Sequence, residues 1–256
     1  MSDVLLSAKG ITQVFGGLVA VNNVDFEIRR GEIVSIIGPN GAGKTTFFNV
    51  LTGMYNPTSG KVHFNNQDIT GLKPFQITKL GLARTFQNIR LFSDMTVLEN
   101  VMSGMHCRYK SNLFDALFRT KRHRREEKDI EEKALYFLEL AGILEHKYDY
   151  ATSLPYGLQR RLEMARALAT SPEILLLDEP AAGMNEQETS DLMEFIKKLQ
   201  NLGYTILLIE HDMRFVMTIC ERIYVLNHGA LIAMGTPAEI KANPDVIEAY
   251  LGKEDI

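Results

Sequence analysis

The chain has 256 residues, 45% of them hydrophobic, and a formal net charge of −4. That length is enough for one large core or two lobes and excludes a small cross-linked module, while so mild an acidity gives no pull toward nucleic acid. Its two cysteines, Cys107 and Cys220, lie far apart with no CxxC pairing, which speaks against a disulfide framework or a zinc site. Apolar runs such as Ile174 to Leu177 and Ile206 to Ile209 fall well short of the ~18 residues of a membrane-spanning helix. No basic stretch followed by an apolar block opens the sequence, so a secretory leader is not expected and the cytoplasm is the expected compartment.

Taken in chain order, the N-terminal 30 residues, including Val24 to Ile28, and the segment Gly60 to Phe64 read as half-exposed strands separated by turn residues. They predict a small antiparallel β subdomain. Ile33 to Ile37 is a short strand rich in β-branched and apolar residues that runs into a glycine-rich turn and a helix over Lys44 to Leu51. From about 74 to 170 the strand signal nearly vanishes and helical spacing dominates, which predicts an inserted α-helical subdomain. Strands return at Ile174 to Leu177, Thr205 to Ile209 and Ile223 to Leu226, with a helix over Gln187 to Leu202 between the first two. These βα units predict an α/β fold with a buried, mostly parallel sheet. The core is expected from about 1–73 and 171–256, all within one domain spanning 1–256.

The strongest chemical signal is Gly38-Pro39-Asn40-Gly41-Ala42-Gly43-Lys44-Thr45, followed by Thr46, which fits G-x-x-x-x-G-K-[ST] between a strand and a helix. The glycines let backbone N–H groups face phosphates, the helix offers its positive end, Lys44 adds a point charge, and Thr45 has the hydroxyl for Mg²⁺. The second signal is the apolar strand ending in Asp178-Glu179-Pro180, where ligands bind in open α/β sheets. Asp178 is the candidate Mg²⁺ residue and Glu179 the candidate general base for an attacking water. The strand Thr205 to Ile209 delivers Glu210-His211-Asp212 to the same sheet edge, and His211 is the candidate contact to a γ-phosphate and to Glu179. The other five histidines have no such setting.

In this order and spacing the residues resemble the ABC ATPases over essentially the full chain. The resemblance implies a P-loop NTPase of the RecA-like class in its ABC ATPase form, acting on ATP with Mg²⁺. It makes Phe15 the aromatic on adenine, Gln87 in Thr85-Phe86-Gln87-Asn88 the glutamine that senses Mg²⁺ and the transporter, and His211 the switch histidine. Leu154-Pro155-Tyr156-Gly157-Leu158-Gln159-Arg160-Arg161 occupies the place of the signature segment, 24 residues before Asp178, so Tyr156 and Gly157 are expected to face a partner subunit's nucleotide. The stretches Arg84 to Phe92, Asp178 to Asn185, Leu208 to Met213 and Asn243 to Gly252, with extra material around Met105 to Glu127, look like the longer ATPase of branched-chain amino-acid importers. Partners follow from that resemblance: a second ABC ATPase, two integral membrane permease subunits and, indirectly, a substrate-binding protein. No nucleic acid is expected. The implied place is the cytoplasmic face of the inner membrane, peripherally bound.

Pro155 stands where the family usually has serine, Leu158 where it has glutamine, and Asn185 where it has aspartate. The first removes a hydroxyl and a backbone N–H from the signature, so an unequal pair of ATP sites is expected. The basic run Arg119, Lys121, Arg122, Arg124 and Arg125 is followed at once by Glu126, Glu127 and Asp129, the pattern of a solvated helix face. Other cargoes, such as urea, short amides or lipopolysaccharide, stay open, because other polypeptides choose the cargo. A soluble nucleic-acid-linked ABC ATPase would need a long coiled-coil insertion or a second cassette, for which this chain has no room.

Overall fold

The computed structural model describes residues 3–105 and 121–251. Its strands are β1 (Val4–Phe15), β2 (Leu18–Arg29), β3 (Ile33–Ile37), β4 (Ser59–Phe64), β5 (Gln67–Asp68), β6 (Leu82–Arg84), β7 (Ile174–Asp178), β8 (Thr205–Ile209), β9 (Arg222–Asn227) and β10 (Ala230–Gly235). The helices are α1 (Lys44–Leu51), α2 (Pro74–Leu80), α3 (Val97–Met105), α4 (Lys121–Leu140), α5 (Tyr156–Ala169), α6 (Glu186–Asn201), α7 (Met213–Ile219), α8 (Pro237–Ala242) and α9 (Pro244–Leu251). The chain divides into two compact units, Met1–Ile77 with Leu176–Ile256, and Thr78–Leu175.

The first unit holds two sheets. In one, β2-β1-β4-β5 are antiparallel neighbours. Buried residues alternate with exposed ones along these strands, as in a sheet with one solvated face. In the other, the order within this unit is β10-β9-β3-β8-β7. Here β3 runs parallel to both β8 and β9, and β10 closes the edge antiparallel to β9. All five residues of β3, β7 and β8 are buried, which is why their sequences are largely apolar rather than alternating, and the one polar residue inside β3, Ser35, donates its hydroxyl to the Leu208 carbonyl at 3.2 Å. Helix α6 turns Leu192, Phe195, Ile196 and Leu199 inward at helical spacing. The expected α/β core and antiparallel sheet are both present.

The second unit is mostly helical, with α3, α4 and α5 packed together. Gly104 of α3 permits a close approach to α5, because a Cβ there would lie 2.4 Å from the Arg166 carbonyl oxygen. Asn100 is fully buried and uses its side chain to bind the 92–96 loop, accepting from Phe92 N–H at 3.0 Å and donating to the carbonyls of Phe92 and Thr96 at 3.1 and 3.0 Å. The three-residue strand β6 lies where the sequence shows almost no strand signal. Of the expected extra segment around 105–127, residues 106–120, and with them Cys107 and Arg119, lie outside the described residues. Along α4 the charged run carries surface pairs at helical spacing, Lys128 with Glu132 and Lys133 with Asp129. No helix among the described residues is long and apolar enough to cross a membrane.

Candidate nucleotide site

The glycine-rich loop leaves β3 at Ile37 and enters α1 through Gly43, the residue that precedes its first turn. Only glycine fits at Gly38: its φ is 152°, and a Cβ would sit 2.1 Å from the Leu226 carbonyl oxygen. The loop rests on the turn between β9 and β10, whose Gly229 N–H donates to the Ala42 carbonyl at 3.0 Å. From α9, the Tyr250 hydroxyl has its pKa raised by burial, with the Gly38 backbone opposing the rise. Lys44 is 6% exposed and curls back over the loop, with Nζ donating to the carbonyls of Gly38 and Pro39 at 2.7 and 3.0 Å. Burial holds its pKa below the usual lysine value, opposed by the Glu179 charge. A lysine folded onto its own loop in this way is a cation ready to exchange carbonyls for phosphate oxygens. Asn40, Gly41 and Thr45 are exposed at the mouth of the cradle, with Thr46 half-buried behind them.

The pairing of Ile36 with Ile209 levels the ends of β3 and β8, so the residues after β8 emerge beside the loop. Asp178 closes β7, buried at 4% exposure. Glu179 follows with φ 48°, a left-handed conformation that a non-glycine residue holds at a cost of about 1–3 kcal/mol when its surroundings over-determine it. Those surroundings are visible: Glu179 N–H donates to the Ile209 carbonyl at 2.9 Å. Its carboxylate Oε1 then lies 2.6 Å from His211 Nε2. Between them in sequence stands Glu210, 3% exposed, whose Oε1 accepts from Ala181 N–H at 2.7 Å and Oε2 from His211 N–H at 3.0 Å. Burial raises the Glu210 pKa against these N–H bonds, and the Glu179 charge adds to the rise. Phe15 ends β1 with its ring 42% exposed and edge-on to Tyr55 at 5.2 Å. A half-open aromatic face of that kind suits stacking on a base.

Gln87, Tyr156 and Gly157 belong to the second unit. There Arg160, with no exposed surface, donates to the carbonyls of Phe86 and Gln87 at 2.7 and 2.8 Å, to Glu163 Oε2 at 3.0 Å and to the Tyr156 hydroxyl at 3.1 Å. Glu163 accepts in turn from the backbone N–H groups of Phe86 and Arg90 at 3.3 and 3.4 Å. One buried ion pair therefore fixes the backbone of the glutamine loop to α5. Pro155 is the cap residue before α5 rather than part of its first turn, with φ −53° and its carbonyl accepting Gln159 N–H at 3.0 Å. Asn185 caps α6 reciprocally with Glu188.

The family model described as "ABC transporter" matches residues 21–182. The chain belongs to the ABC transporter family. A second model, described as "Branched-chain amino acid ATP-binding cassette transporter", matches residues 230–256. The high-affinity branched-chain amino acid transport ATP-binding protein LivG of Salmonella typhimurium is 53% identical over 254 residues, covering 99% of this chain and all of that one. The corresponding protein BraF of Pseudomonas aeruginosa is 49% identical with the same coverage. A solved ATP-binding cassette of an ABC transporter in its ADP conformation superposes with a TM-score of 0.86 at 34% identity, covering 98% of this chain and all of that one. A dimeric cassette in a post-hydrolysis state with ADP and Pi gives 0.77 at 27% identity, covering 91% and 99%.

For an ABC transporter ATPase, the donors near the loop suit the ion expected with ATP. The exposed Thr45 hydroxyl and the Asp178 carboxylate are hard oxygen ligands, few enough to leave positions for phosphates and water, as Mg²⁺ prefers. The sequence reading located the loop, Asp178, Glu179 and His211 from strand ends, and all of these stand in the first unit. It assigned nothing to Glu210 or to Arg160. The signal for the first was an acidic residue directly after an unbroken apolar strand; the second had none, being one arginine among several polar residues of α5.

Proposed function

We propose that this chain is the ATP-binding and ATP-hydrolysing subunit of an ABC importer for branched-chain amino acids. The observation that carries the hydrolytic reading is the 2.6 Å contact between Glu179 Oε1 and His211 Nε2, beside a buried lysine on the phosphate loop. In this reading the loop from Gly38 to Thr46 cradles the phosphates, with Lys44 on the terminal ones, and Phe15 stacks on the adenine. Glu179 orients a water and takes its proton as the water oxygen attacks the γ-phosphorus and the bond to the bridging oxygen of ADP breaks. His211 fixes the rotamer of Glu179 and donates to the γ-phosphate. Thr45 and Asp178 would hold Mg²⁺, which would neutralise phosphate charge, and Gln87 is the family's candidate sensor of that ion. Tyr156 and Gly157 complete the nucleotide site of a second ATPase subunit.

The cargo and the assembly rest on likeness. Relatives about half identical over their full lengths carry branched-chain amino acid transport in their names, and dimeric cassettes stand among the similar solved structures. The chain then works at the cytoplasmic face of the inner membrane as one of two ATPases, on two permease subunits served by a substrate-binding protein. The test is Glu179→Gln in the assembled transporter: ATP binding persists, hydrolysis falls by about 10²–10⁴, and closed ATP-bound dimers accumulate. A variant hydrolysing ATP at the parent rate refutes the assignment of Glu179.

A further inference from the structure

Glu210 is a buried carboxylate to which the hydrolytic reading gives no work. Its position is unusual: it is the first residue after β8, and it reaches sideways to the loop that follows β7. Each oxygen has a separate backbone donor, Ala181 N–H on the β7 loop at 2.7 Å and His211 N–H on its own loop at 3.0 Å. Two residues before Ala181, the Glu179 N–H is tied to the carbonyl of Ile209, which directly precedes Glu210. So the left-handed Glu179 is pinned on both sides by the end of β8, once through backbone and once through this side chain. The same carboxylate also orders the backbone of His211.

We propose that Glu210 is a positioning residue for hydrolysis, a clamp whose two oxygens hold the Glu179 loop and the His211 loop in register so that the general base meets the histidine. This inference rests on the roles given to Glu179 and His211 above. The clamp requires two acceptors. Glutamine has the same shape but turns an NH₂ toward one of the two N–H donors, so one tie is lost and replaced by a donor-to-donor contact. Aspartate keeps both acceptors and the charge but is one methylene too short to span both partners. Neither change touches the phosphate loop, so nucleotide affinity is predicted to separate from turnover.

The experiment compares the assembled transporter carrying Glu210→Gln, Glu210→Asp, His211→Ala, the double variant Glu210→Gln with His211→Ala, and Glu179→Gln. For each, kcat and KM for ATP, MgATP affinity and melting temperature are measured. A displacement of the base by about 1 Å is worth on the order of 10²-fold in rate, so Glu210→Gln is expected to lose about that in kcat with KM and MgATP affinity within about twofold of the parent. Glu210→Asp recovers part of the rate and, keeping the charge, serves where the glutamine variant does not fold. In the His211→Ala background the glutamine substitution is expected to cost less than about threefold, since both changes remove one contact. A clamp that is merely structural gives a different pattern: a lowered melting temperature and the same rate loss in both backgrounds, which overturns the inference. So does parent-like turnover of Glu210→Gln. Parent-like turnover of Glu179→Gln instead refutes the hydrolytic reading itself, whatever Glu210 does.

Discussion

Replacing Arg160 by methionine removes a guanidinium with no exposed surface and leaves its partners behind. The carbonyls of Phe86 and Gln87 each lose a donor, at about 1–3 kcal/mol for a buried polar group left unsatisfied, and Glu163 loses the cation at 3.0 Å. Breaking a buried ion pair from one side costs about 3–5 kcal/mol, and because these penalties overlap that range is the expected total. It is a large part of the ~5–15 kcal/mol that holds a typical domain together. Urea unfolding of the purified chain, followed by far-ultraviolet circular dichroism since the chain has no tryptophan, measures it. The pH dependence adds a signature. Burial already raises the Glu163 pKa above 4.5, so between 4.5 and the folded value the native state holds a proton that the unfolded chain has released, and stability falls as pH rises through that window. Without Arg160 the folded value climbs further, even with Arg166 nearby, and the deficit grows toward neutral pH. Adding Glu163→Leu removes the stranded carboxylate and restores part of the loss. A deficit under about 1 kcal/mol, or no recovery in the double variant, refutes the reasoning.

Three further expectations concern the nucleotide. Gly38→Ala drives a Cβ to 2.1 Å from the Leu226 carbonyl oxygen and is expected to weaken ATP binding at least about tenfold by calorimetry, because the loop must move to relieve a clash with backbone. Tyr250→Phe removes a hydroxyl near the Gly38 backbone, so a drop of about two- to tenfold in nucleotide affinity is expected, and an unchanged affinity counts against α9 as a brace of the loop. Pro155→Ser supplies both a helix cap and a hydroxyl for a γ-phosphate; hydrolysis by the purified chain alone is expected to rise by one to two decades, as roughly 1.5–3 kcal/mol implies, and no rise argues against a signature weakened by proline.

What the sequence made legible was whatever depends on neighbours along the chain. The phosphate loop, Asp178, Glu179 and His211 could be placed because each stands at or just beyond the end of a largely apolar strand, and such runs mark β3, β7 and β8. What escaped depends on contacts between distant segments. The bonds of Arg160 reach 73 and 74 residues back, and the Glu210 clamp spans 29. That Pro155 is the cap of the helix that follows shows only in its backbone angles.

The parallel pairing of β3 has a consequence for how the chain acquires its fold. Ile33 pairs with Ile206, and Val34 with Arg222 on the other side. Ile206 leaves the ribosome 173 residues after Ile33, which at about 5–20 residues per second is roughly 9–35 s. For that time a strand whose five residues are all buried in the finished fold exists without either neighbour, and the helical unit, encoded between them, is synthesised before either arrives. The phosphate loop is thus among the first functional segments synthesised and among the last to find its supports, and the nascent chain is most exposed to misassociation through the very strand on which nucleotide binding depends.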